Sequence, residues 1–237
     1  MNVLVLGATG ATGRLATQLL LEAHHHVMAI VRPTSELDSE IANHNKLSVV
    51  RDNIDSMSDE MLCHYLSKCD AVVSCLGHNL SCKGLFGHPR NLVSDTVAKV
   101  KRCAELLERE TPLKLVLMSS SGVANRSIDA PMSFASRCVI GTLRALLPPH
   151  ADNERATAQL QQEPTQALEW VSVRPDALVN CSTISPFEVH DSPQRDPIFN
   201  SGDTSRINVA KFMVDLLISP SLWRQWRAQT PVIYNRS

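Results

Sequence analysis

The chain has 237 residues, 23 Lys and Arg against 24 Asp and Glu, and 43% apolar side chains. That length suits one domain with an appended lobe, or at most two small domains, and the apolar fraction supports a sizeable core and argues against disorder. A net charge of −1 with scattered signs offers no bulk attraction to nucleic acid or anionic lipid, and no apolar run approaches the ~18 residues of a membrane span.

Residues 1–6 carry no basic n-region or cleavage site, so no signal peptide is expected there. The seven cysteines (Cys63, Cys69, Cys75, Cys82, Cys103, Cys138, Cys181) are odd in number and form no C-x-x-C pair. They read as reduced thiols of a cytoplasmic protein, not as a disulfide framework or a zinc site. His24-His25-His26 reads as a polar turn before a strand, and no metal is expected.

The first elements set the architecture. Val3-Leu4-Val5-Leu6 is a short apolar run ending in glycine, as a strand buried on both faces requires. Leu15, Leu19 and Leu20 recur at helical spacing between Ala11 and Ala23, and His26–Val31 is a second strand. Strand, helix, strand within thirty residues is a βαβ unit. The alternation continues with strands over 47–50, 71–76, 113–118 and 170–173, and helices over 55–67, 91–110 and 133–147. A further helix is expected from Asp152 as its N-cap. Such alternation implies a parallel sheet covered on both faces. Residues 182–206 hold three prolines and read as a long loop. Asn208 is expected to cap a last helix through Ile218, and 232–234 to form a final strand.

The sharpest motif is Gly7-Ala8-Thr9-Gly10-Ala11-Thr12-Gly13, between the first strand and the first helix. Small residues there make the tight turn, admit a pyrophosphate to the backbone and let helix pack on strand. The helix N-terminus then holds the anion. The glycines are spaced three and three, not as G-x-G-x-x-G. Arg32 stands where an acidic residue would accept the adenosine ribose hydroxyls of NAD. A guanidinium there grips a 2′-phosphate, which favours NADP(H) over NAD(H).

With Val31-Arg32, Arg51-Asp52-Asn53, Asp70-Ala71-Val72-Val73-Ser74, Ser119-Ser120-Ser121-Gly122-Val123, Val173-Arg174-Pro175 and Ser205–Ala210, this motif resembles the atypical short-chain dehydrogenase/reductase superfamily. The likeness is strongest to NmrA-like and biliverdin-reductase-B or flavin-reductase-like NAD(P)H-binding proteins. It implies an α/β Rossmann-type doubly wound parallel sheet over 1–237, with 176–237 forming a small C-terminal substrate lobe. It also implies cofactor contacts at Gly7, Thr9, Gly10, Ala11, Thr12, Gly13 and Arg32. Asp52 and Asn53 would lie beside the adenine, Leu76 and Gly77 along the ribose and pyrophosphate, and Ser119, Ser120 and Pro175 at the nicotinamide end.

Members of the superfamily use a Tyr-x-x-x-Lys pair, in which the lysine lowers the pKa of the tyrosine so that it can pass a proton. This chain has two tyrosines, Tyr65 and Tyr234, and neither begins such a pair. Ser120 falls at the catalytic serine position, and the helix region carries His150, Asn153 and Arg155. His150 is a candidate proton donor, and Asn153 or Arg155 could contact substrate or the nicotinamide ribose. His78, Lys83, His88 and Arg90 form a cationic loop at the sheet edge. The expectation is an NADPH-dependent reductase of a flavin, quinone or similar small acceptor. The alternative is a non-catalytic NADP(H)-sensing regulator or scaffold that binds a protein partner.

Overall fold

The computed structural model describes residues 1–77, 89–125, 127–130, 139, 141, 148–196 and 198–236. The expected helix over 133–147 and most of the cationic loop, with His78, Lys83 and His88, lie outside them.

Ten strands are described: β1 (Asn2–Leu6), β2 (His26–Val31), β3 (Leu47–Arg51), β4 (Ala71–Ser74), β5 (Leu113–Met118), β6 (Leu168–Pro175), β7 (Ala177–Val179), β8 (Phe187–His190), β9 (Asp203–Ser205) and β10 (Val232–Asn235). The helices among them are α1 (Gly13–Glu22), α2 (Ser39–Ala42), α3 (Asp59–Leu66), α4 (Leu92–Leu106), α5 (Pro148–Gln162), α6 (Arg206–Ile218) and α7 (Pro220–Trp226). Eight strands form one sheet in the order β3-β2-β1-β4-β5-β6-β10-β8. Every pairing in it is parallel except β10 with β8. The expected doubly wound parallel sheet is therefore present. Strands β7 and β9 pair separately, in parallel.

Alternation along β1 explains the layers. Val3 and Val5 join a core with Ala16 and Leu20 of α1 and Phe212 and Met213 of α6. Leu4 and Leu6 face the other way, onto Leu62 of α3, Val97 and Val100 of α4 and Ala156 and Leu160 of α5. All of these side chains are buried, each contributing roughly 1.5–3 kcal/mol where it is a Val, Leu or Phe. Among the described residues no helix is long and apolar enough to cross a membrane.

Several boundaries differ from expectation, each for a local reason. The helix expected from residue 55 begins at Asp59, because the Ser58 hydroxyl accepts the Met61 N–H as its cap. Three carbonyls just before it, on Ile54, Asp55 and Met57, are taken by the Lys99 ammonium. Asp152 is not an N-cap of its own helix, which begins at Pro148. Its buried carboxylate serves α4 instead, accepting the N–H groups of Val93 (2.8 Å) and Ser94 (3.0 Å). Residues 182–206 are not one long loop, since they contain β8 and β9. Helix α6 is capped by Ser205, whose hydroxyl accepts the Asn208 N–H. Asn208 lies inside the helix, fully buried, and its amide binds Ser185 and Asn235. Helix α7 was not expected. Ser219-Pro220 starts it, with the serine as cap and the proline in the first turn.

Candidate functional site

The strand order reverses between β1 and β4, whose carboxyl ends diverge into separate crossovers. In open α/β sheets such a switch point opens a crevice for ligands. A cavity of about 200 Å³ lies there, lined by residues following four strands. Gly7, Thr9 and Gly10 follow β1, Arg32 follows β2, Asp52 and Asp55 follow β3, and Leu76 and Gly77 follow β4.

The glycine loop is built by close approach. Gly7 has φ +81°, and a Cβ on it would stand 2.7 Å from the Cys75 carbonyl oxygen. A Cβ on Gly13 would stand 2.1 Å from the Gly7 carbonyl oxygen. The loop closes through the Gly10 N–H on the Gly7 carbonyl at 2.9 Å. Helix α1 then starts with no side-chain cap on Thr12 and no acidic residue in its first turn. Its N-terminal partial positive charge is left for an outside acceptor. Gly77 is different: a Cβ there would meet nothing within 4 Å.

At the far end, Arg32 is exposed on the cavity rim. Arg14 pairs with Asp38 at 3.4 Å, and Arg51 donates to the Ser35 carbonyl at 3.1 Å. Two more guanidinium groups thus bracket the segment 32–38. Asp52 is fixed by its own N–H on the Val31 carbonyl (3.0 Å), while its side chain accepts the Asn53 N–H (2.7 Å). Asn53 shapes the turn through its carbonyl, which accepts from Ser56 and Met57, and is not among the lining residues. Ile54, Cys75, Pro89 and Leu92 line the cavity as well, and these were not foreseen. Burial pushes the Cys75 thiol up to about 12, which keeps it protonated and opposes a redox role at neutral pH.

Ser119, Ser120 and Pro175 do not line this cavity. They stand on the same sheet edge, at the ends of β5 and β6, about 5 and 10 Å beyond β4 at the usual strand spacing. The Ser119 hydroxyl turns inward, 3.5 Å from Thr157 of α5, which meets Ser172 at 3.2 Å. Ser120 is half-buried, and its hydroxyl accepts the Gly122 N–H at 3.3 Å. Ser121 donates to Asp176 at 2.8 Å, and Asp176 also accepts the Gly202 N–H at 2.8 Å. Burial pushes the Asp176 carboxyl up, against those two hydrogen bonds, which hold it down. His150 belongs to the first turn of α5, but its side chain lies outside the described residues. Tyr65 is on α3, and Tyr234 is buried on β10, where its oxygen accepts the Gln194 N–H.

In the sequence Arg174 marks only a strand end. It is fully buried and meets Asp129 through both oxygens, at 2.6 and 3.0 Å. It also donates to the carbonyls of Thr230, Val123 and Asp191. One side chain therefore ties the end of β6 to three loops. A Val-Arg-Pro strand end is the signal that could have drawn attention to it. A larger cavity of about 700 Å³ lies at the opposite, amino edge of β5 and β6. Two of its cations are paired internally, Lys101 with Glu163 and Arg227 with Glu169.

The fold and the switch-point crevice define a Rossmann-type nucleotide-binding protein. A family described as NAD(P)H-binding matches residues 7–220, and the chain belongs to that family. No curated protein sequence matches it. Solved structures share its fold over the full length. A short-chain dehydrogenase/reductase from Veillonella parvula in complex with NADP is 14% identical, with a TM-score of 0.70 over 100% of this chain and 95% of that one. The anaerobillin reductase ChuY from Escherichia coli O157:H7 is 16% identical, with a TM-score of 0.69 over 100% and 98% of the two chains. A candidate NADH-flavin reductase from Streptococcus pneumoniae is 16% identical, with a TM-score of 0.65 over 100% of both. At these identities the likeness is one of fold. The resemblance to the atypical short-chain dehydrogenase/reductase superfamily is borne out at that level.

Proposed function

We propose that this protein is an NADPH-dependent reductase of a flavin, quinone or similar small acceptor. The observation that carries the reading is the switch-point cavity, where the glycine loop, Arg32, Asp52 and Gly77 converge. The residues fit a dinucleotide. Gly7 and Gly13 leave no room for a Cβ, so the loop lies tight against the strand, and the uncapped start of α1 suits a pyrophosphate. Arg32 would hold the 2′-phosphate, with Thr9, Gly10, Ala11, Thr12, Leu76 and Gly77 around the pyrophosphate and ribose. Asp52 and Asn53 would face the adenine. Ser119, Ser120 and Pro175 would take the nicotinamide end. Free thiols at Cys63, Cys69, Cys75, Cys103 and Cys181 fit a reducing cytoplasm.

When bound, the reduced nicotinamide supplies a hydride. The protein's part is to hold donor and acceptor in line over the ends of β5 and β6 and to keep water from the donor. Ser120 hydrogen-bonds the acceptor. With no Tyr-x-x-x-Lys pair in the chain, the chemistry suits acceptors that take their proton from solvent. The NmrA-like relatives named by the sequence motivate a sensing role instead, but no feature of the site favours it.

The test is calorimetric titration with NADPH and NADH in parallel, followed by turnover with flavins and quinones. NADPH should bind at least tenfold tighter, about 1.4 kcal/mol. Arg32→Ala should abolish that preference, and Ser120→Ala should slow turnover with little change in affinity. Equal affinities in the wild type would remove the NADP assignment, and binding without turnover of any acceptor would remove the reductase.

A further inference from the structure

One wall of the switch-point crevice is fastened by a side chain that does not itself line it. Residues 52–58 join β3 to α3, and Asp52, Ile54 and Asp55 line the cavity. Ile54 and Met57 are buried. Asp52 is tied to β2 through its N–H on the Val31 carbonyl, and the Asn53 carbonyl closes a turn on the N–H groups of Ser56 and Met57. Three further carbonyls of the segment go elsewhere.

Lys99 stands on α4, half-buried and more than forty residues along the chain. Its ammonium donates to the carbonyls of Ile54 (3.2 Å), Asp55 (2.9 Å) and Met57 (2.7 Å). An ammonium has three donors, which matches the three acceptors. Arg102, three residues further along α4, instead takes the Asp59 carboxylate at 3.0 Å. The two cations therefore act on different parts: Arg102 fastens the first residue of α3, and Lys99 fastens the loop before it. Carbonyl dipoles gathered around one point repel one another unless a cation sits between them, and bonds to a charged donor are about twice as strong as neutral ones. Without the ammonium those oxygens must turn toward water, and Ile54 and Asp55 move with them.

We propose that Lys99 is a positioning residue for the adenosine end of the dinucleotide, setting through Ile54 and Asp55 the wall beside Asp52. The proposal rests on the cofactor reading above. Lys99 is not among the residues that line the cavity, so it acts through the backbone of 54–57 and moves no proton. Strands β3 and β5 lie on opposite sides of β1 in the sheet. The wall after β3 therefore bears on one half of the ligand only.

The experiment compares two probes on folded protein. NADPH carries both halves of the dinucleotide, whereas adenosine 2′,5′-bisphosphate carries only the adenosine half. Lys99→Met, which keeps the stem and removes the charge, should weaken both by one common factor of about five to ten. Lys99→Arg, which restores a cation with several donors, should recover most of that loss. Lys99→Gln, with two neutral donors, should fall between the two and decides the matter if the methionine variant does not fold. Arg102→Met is the control for packing between α3 and α4, and it should leave both affinities within about twofold. An equal loss in the Arg102 variant would reduce Lys99 to a general structural role. A larger loss for NADPH than for the bisphosphate would move the effect to the other half and overturn the proposal. Unchanged affinities in Lys99→Met, or no recovery in Lys99→Arg, would overturn it too. If the wild type bound neither probe, the cofactor reading itself would fall, and this proposal with it.

Discussion

The carboxylate of Asp152 accepts the hydroxyl of Ser94 at 2.6 Å, and in doing so one helix finishes the end of another. The same carboxylate takes the N–H groups of Val93 and Ser94, donors that an N-terminus leaves over. Asp152→Ala takes the acceptor from two buried backbone N–H groups, while the Ser94 hydroxyl keeps the Asn91 carbonyl. It should cost about 2–3 kcal/mol, read as a lower urea midpoint with an unchanged slope. A loss under 0.5 kcal/mol would show that water replaces the carboxylate.

Arg174 and Asp129 form the deepest ion pair described, with the arginine side chain 0% exposed and the aspartate 9%. Removing one partner leaves a buried charge. Asp129→Ala should therefore destabilise the fold by about 3–5 kcal/mol. Arg174→Met is expected to cost at least as much as Asp129→Ala does, because it leaves the Asp129 carboxylate unpaired and also removes the donor to the carbonyls of Thr230, Val123 and Asp191. The reverse order in thermal melts would contradict this account.

The raised Asp176 carboxyl has a signed consequence. Its folded pKa lies above the unfolded value near 3.8, so the folded state binds more protons between the two. Stability from this group falls as pH rises through that window, and it is a penalty at neutral pH. Acidification from pH 7 toward pH 4 should therefore favour the wild type over Asp176→Asn. A stability difference that stays constant across that range would show that Asp176 is not perturbed.

Thiol reactivity should follow burial. Burial lifts Cys69 to about 11 and Cys75 to about 12, whereas Cys181 is exposed. Among these three, iodoacetamide at pH 7.5 should label Cys181 first by a wide margin, as mass spectrometry would show. Rapid labelling of Cys75 would mean that the switch-point crevice is open to solvent.

Where local chemistry decides, the sequence was legible. The strand at Val3–Leu6, the glycine turn after it and the leucine spacing of α1 all act within a few residues. Arg32 and Asp52 could be placed because strand ends in such sheets point to one edge. The misses involve partners far along the chain. Nothing near Asp152 says that its carboxylate serves a helix some sixty residues earlier. Strands β7 and β9 have three residues each, and β8 is defined by pairing with β10, which lies more than forty residues on. Asn208 hides Ser205 as the cap in the sequence, because it lies three residues later and is an equally good capping type.

The insertion of β10 between β6 and β8 bears on the order of assembly. Residues 187–190 have no edge to join until 232–235 have been made, and the Thr204 hydroxyl awaits the Ile233 carbonyl. On the ribosome, the half of the sheet from β3 to β5 can close early, while β6 keeps a bare edge. The segment from β7 to β10 is then expected to dock late. A nascent chain stalled before Val232 is therefore the form most exposed to edge-to-edge aggregation.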